Sequence, residues 1–203
     1  NRARRGGMSG GSGSEPPAEA EQHELCTSLV SKAMSGCKRL QQLRQALEAL
    51  GVDVPIECIR CPEPEPGQTA TAGGYMTANG SVVLCQEWVA HQPAEVPNTL
   101  AHELIHAYDD SRAHLDWFNL THHACTEIRA AQLSGDCTFG RELDRSNINP
   151  IRIAKAGERC VRRRAQLSVA MNPACTSALA AADAVQRAWN ICSKDFAPFE
   201  KVP

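Results

Sequence analysis

The chain has 203 residues, which is enough for one domain of ordinary size with a hydrophobic core. Its formal net charge of -2 gives no electrostatic basis for binding nucleic acid. No apolar run approaches the ~20 residues needed to span a bilayer, so we expect a soluble or peripheral protein.

The N-terminal segment, residues 1–22, is rich in Gly, Ser, Pro, Ala and Glu. Such a composition cannot bury enough apolar surface to offset the entropy lost when a chain becomes ordered. We therefore predict that residues 1–22 are disordered and that residues 23–203 form a single domain.

A long helical region is predicted over residues 24–50, with a break near Ser35-Gly36. Its second part carries an apolar stripe at the spacing of one helix face, formed by Leu40, Leu43, Leu47 and Leu50. Gly51 suits a helix end, because glycine accepts the left-handed conformation that often follows a helix.

A small sheet is predicted after these helices. Residues 52–59 are β-prone, and residues 62–74 form a loop rich in Pro, Gly and Thr. Two further β-prone runs, 74–78 and 81–86, flank Asn79-Gly80, and this arrangement predicts a hairpin. Run 81–86 is interpreted either as an edge strand that pairs with an extended substrate or as a purely structural edge strand.

A helix predicted over about 98–113 contains His102-Glu103-Leu104-Ile105-His106, an HExxH motif. Histidines at i and i+4 lie on one helix face, one turn apart, so their imidazoles can hold one zinc ion. Glu103 between them can reach a metal-bound water and act as a general base. The alternative is a pair of solvated histidines, which the apolar residues around the motif disfavour: Leu100, Leu104, Ile105 and Tyr108.

A catalytic zinc needs a third protein ligand and an open position for water. We expect Glu127 to be that ligand, from a second helix predicted over about 117–134, since two histidines and a glutamate are a known catalytic set. His122 and His114 are competing candidates, and Asp109 or Asp110 is a weaker one.

Other polar residues near the motif are candidates for supporting roles. An oxyanion partner is expected to be His, Tyr or Arg, and His122, His123 and Arg129 all qualify. Asp109 and Asp116 suit the acceptance of the distal N–H of a ligand histidine, with helix capping as an equally good interpretation.

The remaining residues, 139–195, are predicted to be helical, with Pro150 and Pro173 as breaks or helix starts. The Arg162-Arg163-Arg164 run is interpreted as a solvated helix face. The predicted fold is therefore α+β and zincin-like, with a small hairpin or sheet, then the HExxH helix, then a largely helical C-terminal half.

Ten cysteines are spread along the chain, and their even number favours disulfides and an oxidising compartment. Cys58 and Cys61 form the only CxxC, whereas a zinc ribbon needs a second close pair. Prolines follow it and oppose the helix that a thioredoxin-like motif requires. We interpret the pair as structural.

Six separated stretches of the sequence form a recognisable set. They are His102–Asp109, Arg112–Trp117, His122–Ala130, Leu133–Cys137, Cys160–Arg164 and Pro198-Phe199. These stretches, in this order, resemble the mitochondrial inner membrane proteases of the ATP-twenty-three family, and the resemblance covers residues 37–203. The plant and algal branch is the most similar, through His122-His123 and the C-terminal stretch.

The resemblance implies a zinc metalloprotease that binds one zinc through His102 and His106 and uses Glu103 in catalysis. It implies peripheral attachment to the intermembrane-space side of the mitochondrial inner membrane, where the cysteines are expected to be oxidised. Polypeptide substrates follow, with ATP synthase membrane-sector subunits or assembly intermediates as partners. The alternative is a disulfide-stabilised assembly chaperone with dispensable proteolysis. Ser111 stands where some relatives have Cys.

Overall fold

The computed structural model describes residues 18–64, 71–138 and 156–203. These residues form seven α-helices, one 3₁₀ helix and three strands, so the predicted α+β class is confirmed. The elements in chain order are α1 (Glu19–Gly36), α2 (Lys38–Ala49), β1 (Ile56–Ile59), β2 (Gly73–Met76), β3 (Ser81–Cys85), α3 (Gln86–His91), the 3₁₀ helix (Pro93–Glu95), α4 (Val96–Arg112), α5 (Leu120–Leu133), α6 (Ala156–Ala170) and α7 (Ala178–Cys192).

The first two helices show the predicted break, at Cys37. Helix α1 begins at Glu19, so residues 19–22 are helical rather than disordered, while residues 1–17 lie outside the described residues. The early start has a local cause, because Glu19 and Glu21 place negative charge at the positive end of the helix dipole. The predicted stripe on α2 is buried except for Leu50, which is 44% exposed at the helix end.

The three strands form one sheet in the order β1-β3-β2. Strands β2 and β3 make the predicted antiparallel hairpin, with Gly80 at φ +70 in its turn, and β1 pairs with β3 in parallel. The prediction of an edge strand at 81–86 is wrong, because β3 is central and its Val82 pairs with both neighbours. Four of the five β3 side chains are buried, which is typical of a central strand.

Two hydrophobic cores meet at the contact between α4 and α5. The first core lies between the sheet and helices α1, α2 and α4, and it includes Leu43, Leu84 and Ile105. The second lies among α5, α6 and α7. Helix α5 contributes side chains to both cores, since Leu133 packs in the first core and Ile128 in the second. The α4–α5 contact therefore lies between two packed bodies.

Four disulfides join separate elements of the fold. They are Cys26–Cys58, Cys61–Cys85, Cys125–Cys192 and Cys137–Cys160, while Cys37 and Cys175 are free. Each cysteine of the CxxC therefore bonds to a different element, as its structural interpretation requires.

The C-terminal half is helical in its described part, as predicted. Helices α6 and α7 are separated by a connection that contains Pro173, whereas residues 139–155, including Pro150, lie outside the described residues. None of the described helices combines the length and the apolar character that crossing a membrane requires.

Candidate metal centre and active site

Helix α4 fixes the two motif histidines by burying its apolar side. It begins at Val96 with Pro97 in its first turn, close to the predicted start at residue 98. Leu100 and Ile105 are fully buried in the first core, which turns His102 and His106 towards α5. The two imidazole rings lie with their centroids 4.9 Å apart, and their side chains are 15% and 6% exposed.

Glu127 reaches this pair from α5. Its Oε2 lies 3.5 Å from His102 Nε2, and its Oε1 lies 3.4 Å from His106 Nε2. One ligand atom from each of the three residues falls within 4.8 Å of the others. The structure thus brings together the three residues that the sequence predicted as metal ligands, and we call them the metal group.

The spacing of the metal group suits a small divalent ion. A tetrahedral zinc with bonds of about 2.0–2.2 Å holds neighbouring ligand atoms about 3.3–3.6 Å apart, from geometry alone. The two distances from Glu127 to the histidines, one from each carboxylate oxygen, fall in that interval. The donor set, two imidazoles and one carboxylate, also suits zinc.

The electrostatics of the metal group favour a cation. Burial lowers the pKa of His102, but Asp136 and Glu127 outweigh burial and raise it to about 10. Burial would raise the pKa of Glu127, yet His106, His102 and His123 hold it well below its ordinary value. A carboxylate that stays ionised in a buried pocket attracts positive charge strongly.

Glu103 lies on α4 between the two histidines and is 8% exposed. Its charge helps to raise the pKa of His102, so its carboxylate lies near that member of the metal group. Among the described residues it has no hydrogen-bond or ion-pair partner. A buried carboxylate without a partner beside a metal group has the position that a general base requires.

A chain of hydrogen bonds orients His106. Its Nδ1 lies 2.8 Å from the Thr126 hydroxyl, which donates to Asp109 Oδ2 at 2.9 Å. Since the hydroxyl proton goes to Asp109, Nδ1–H donates to Thr126, and Nε2 is the ring nitrogen that faces Glu127. Asp109 was predicted either to accept the distal N–H of a ligand histidine or to cap a helix. In the structure it is linked to His106 through the hydroxyl of Thr126, a residue that the sequence reasoning did not single out.

Arg129 does not occupy the oxyanion position that the sequence suggested for it. Its side chain is wholly buried, and Nε donates to Asp109 at 2.9 Å. The other two nitrogens donate to the backbone carbonyls of Asp195 and Ala197, and Nη1 also pairs with the Asp195 carboxylate at 2.7 Å. All three nitrogens are engaged, so Arg129 ties Asp109 to the C-terminal segment.

His102 is flanked by Asp136, another residue that the sequence reasoning did not single out. Asp136 Oδ2 lies 3.5 Å from His102 Nδ1 and 2.8 Å from Arg164 Nη2. Gly135 directs the chain there, because it takes φ +88 after α5 and a side chain would meet Arg39 at 2.5 Å. The Arg162–Arg164 run is thus not simply a solvated face.

His123 contacts a metal-group carboxylate. Asn172 Nδ2 donates to His123 Nδ1 at 2.8 Å, so the proton of the ring lies on Nε2, which donates to Glu127 Oε1 at 3.2 Å. The Ser168 hydroxyl donates to the same oxygen at 2.5 Å. His123, one of the predicted oxyanion candidates, therefore orients Glu127, and Trp117 packs beside it with ring centroids 5.8 Å apart.

Four other candidates stand outside the metal group. His122 Nδ1 accepts from the backbone N–H of Asp116, whose carboxylate accepts from the N–H of Phe118, so both shape the loop before α5. Asp110 accepts from the Tyr75 hydroxyl and the Trp117 indole, and His114 is exposed in the loop after α4. The structure therefore supports neither a ligand role for His114, His122 or Asp110 nor a histidine-orienting role for Asp116.

Several known proteins are similar to this chain in sequence. "Mitochondrial inner membrane protease atp23" of Schizosaccharomyces pombe is 37% identical over 188 residues, covering 93% of this chain and 98% of the relative. "Mitochondrial inner membrane protease ATP23" of Saccharomyces cerevisiae is 40% identical over 151 residues, covering 74% of this chain and 63% of the relative. The protein of that name from Yarrowia lipolytica is 34% identical over 160 residues, covering 79% of this chain and 61% of the relative. The chain thus spans a little under two thirds of the length of the latter two.

No solved structure matches the chain. The model of the Peptidase M76 family matches residues 24–200, which include α4, α5 and every residue of the metal group. The resemblance seen in the sequence is thereby confirmed at the level of the family, and the chain belongs to the Peptidase M76 family.

Proposed function

We propose that this protein is a zinc-dependent endopeptidase with a zincin-like arrangement. The observation that carries the proposal is that ligand atoms of His102, His106 and Glu127 lie within 4.8 Å of one another. Beside them is the carboxylate of Glu103, which has no hydrogen-bond or ion-pair partner among the described residues. Three protein ligands leave one position of a tetrahedral zinc open, which is the mark of a catalytic site.

The roles of the residues follow from this geometry. A zinc held by the metal group would supply Lewis-acid polarisation of the scissile carbonyl and a water of lowered pKa. Glu103 accepts the proton of the attacking water and passes it to the leaving amine. The Thr126–Asp109 bonds hold the His106 ring with Nε2 towards the metal group, and Asp136 faces the distal nitrogen of His102.

The strand order favours β2 as the strand that receives an extended substrate. Strand β3 is paired on both sides, whereas β2 has a described partner on one side only. Tyr75 of β2 donates to Asp110, one helical turn after His106, so β2 lies alongside the motif helix. A peptide added to the outer edge of β2 would be read through its backbone.

The cellular setting is proposed from the relatives and the disulfides. The relatives are named as proteases of the mitochondrial inner membrane, and four disulfides suit an oxidising space such as the intermembrane space. We place the protein peripherally on that side of the membrane. Its proposed substrates are polypeptides, with subunits or assembly intermediates of the ATP synthase membrane sector as partners.

Replacement of one carboxylate tests this proposal. The purified parent protein should contain about one zinc per chain. Glu103→Gln should keep the zinc and lose peptidase activity, because an amide cannot accept the proton of the attacking water. Glu48→Gln is the matched control, since that side chain is exposed on α2 and should leave activity unchanged.

Equal activity of Glu103→Gln and the parent would refute the peptidase proposal. A complementation experiment in cells that lack the protein separates it from an assembly chaperone. Failure of Glu103→Gln to support ATP synthase assembly would show that catalysis matters there. Full support would favour a chaperone with dispensable proteolysis.

A further inference from the structure

One side of α6 contacts three separate points around the metal group. Arg164, Ser168 and Asn172 are four residues apart, so each lies about one turn after the one before. The first two are inside α6, and Asn172 follows two residues after its end. The adjacent side of α6 packs Val161, Ala165 and Val169 into the second core, to which α5 also contributes, so the polar stripe lies next to α5.

Each member of the stripe has a distinct contact. Arg164 Nη2 lies 2.8 Å from Asp136 Oδ2, and the same oxygen lies 3.5 Å from His102 Nδ1. The Ser168 hydroxyl donates directly to Glu127 Oε1 at 2.5 Å. Asn172 donates at 2.8 Å to His123, which in turn donates to Glu127 Oε1.

These contacts distinguish the two oxygens of Glu127. Oε1 accepts from both Ser168 and His123. Oε2 faces His102 Nε2 at 3.5 Å. The stripe therefore fixes the torsion of the carboxylate and leaves Oε2 turned towards His102.

The position of α6 is itself fixed beside the metal group. Cys160, one turn before Arg164, is bonded to Cys137, which directly follows Asp136 in the chain. The start of the helix and the Asp136 loop are therefore joined covalently, the helical spacing sets where Ser168 falls, and Asn172 follows directly after the helix.

We propose that Arg164, Ser168 and Asn172 are positioning residues that orient the Glu127 carboxylate and the His102 ring before a metal binds. The inference rests on the proposed zinc site. Without these contacts, the Glu127 side chain would become ordered only when the metal binds. The entropy lost in that ordering would lower the affinity for the metal. Substitution of residues that orient metal ligands weakens affinity by about 10- to 100-fold in well-studied sites.

The test measures zinc affinity rather than activity. Zinc dissociation constants are determined for the full chain by competition with a chromophoric chelator. We expect Ser168→Ala and Asn172→Ala each to weaken zinc binding by about tenfold or more. Ser168→Thr, which keeps a hydroxyl, should recover most of the affinity. The visible spectrum of the Co²⁺-loaded protein should change in both alanine variants, since it reports ligand geometry.

The control is Ser35→Ala, which removes a hydroxyl whose partners among the described residues are carbonyls of its own helix, α1. This variant should keep the affinity and the Co²⁺ spectrum of the parent. If Ser168→Ala and Asn172→Ala both bind zinc as tightly as the parent, the inference is overturned. A parent protein that binds no zinc would instead refute the proposed function, so the two failures are distinguishable. Should Ser168→Ala fail to fold, Asn172→Ala decides.

Discussion

Thr126→Val is the sharpest test of how His106 is oriented. The Thr126 side chain is 1% exposed, and its hydroxyl links His106 Nδ1 to Asp109 Oδ2. Valine has nearly the same shape and suits a helix about as well, so the substitution removes the two hydrogen bonds and little else.

The expected loss follows from those two bonds. A hydrogen bond to a charged group contributes about 1.5–3 kcal/mol, and a buried N–H left without an acceptor costs about 1–3 kcal/mol. Asp109 keeps Arg129 and Arg112, so no unpaired charge is added. We expect the metal-free protein to lose about 3 kcal/mol or more of unfolding free energy. Zinc affinity should fall by about 10- to 100-fold, because the imidazole tautomer and orientation are no longer fixed.

Two measurements on the same samples check this prediction. Urea unfolding of the metal-free protein, followed by circular dichroism, gives the free energy of unfolding, and chelator competition gives the zinc dissociation constant. Thr27→Val is the matched control, since its exposed hydroxyl bonds only to the His23 carbonyl of its own helix. Zinc affinity of Thr126→Val equal to that of the parent would refute the reasoning about His106.

Arg129→Met should lower the free energy of unfolding by about 3–5 kcal/mol in a urea titration, because buried Asp109 loses its main partner. The control Arg187→Met breaks an exposed ion pair and should cost under about 1 kcal/mol. A loss for Arg187→Met equal to that for Arg129→Met would contradict this account. Asp195→Asn should make the free energy of unfolding fall less steeply as the pH is lowered. Arg112 and Arg129 outweigh burial and lower the pKa of Asp195 in the folded state. The stabilisation from Asp195 is therefore present above about pH 4 and is lost as the pH falls through the folded-state pKa. Parallel urea midpoints for parent and variant at falling pH would exclude this role. Replacement of Cys125 and Cys192 by alanine opens a bond with a sequence separation of 67 and should cost about 4 kcal/mol, unless the reduced chain keeps structure.

The metal group was predictable because its residues obey local rules. His102 and His106 share a helix face by spacing alone, and the apolar residues of α4 indicate which face is buried. Glu127 was a reasonable expectation because the next predicted helix is close in sequence and carries few acidic residues. The hairpin at Asn79-Gly80 was also a local signal, and it is present.

The place of β3 in the sheet was not a local property. Whether a strand is central depends on which other strand joins it, and β1 comes from residues more than twenty positions earlier. The nearly continuous burial of Val82, Leu84 and Cys85 was visible in the sequence as an apolar run. Strands that are buried on both faces have nearly continuous apolar sequences, so that run indicates a central strand rather than an edge strand.

The supporting residues could not be predicted because their partners are distant in the chain. Arg129 meets Asp195 across 66 residues, and Ser168 meets Glu127 across 41. In the sequence, Arg164 and Ser168 look like the polar side of an ordinary amphipathic helix. Only packing shows that this side faces a buried carboxylate rather than water.

The order of the metal group along the chain has a consequence for synthesis. The two histidines are made first, Glu127 follows one helix later, and the stripe of α6 comes some forty residues after that. A growing chain therefore carries a two-histidine chelate that lacks its third ligand and the helix that orients it. Under the proposed function, a chain that ends before α6 would lack the Ser168 hydroxyl that donates to Glu127, so peptide hydrolysis would require the complete C-terminal half.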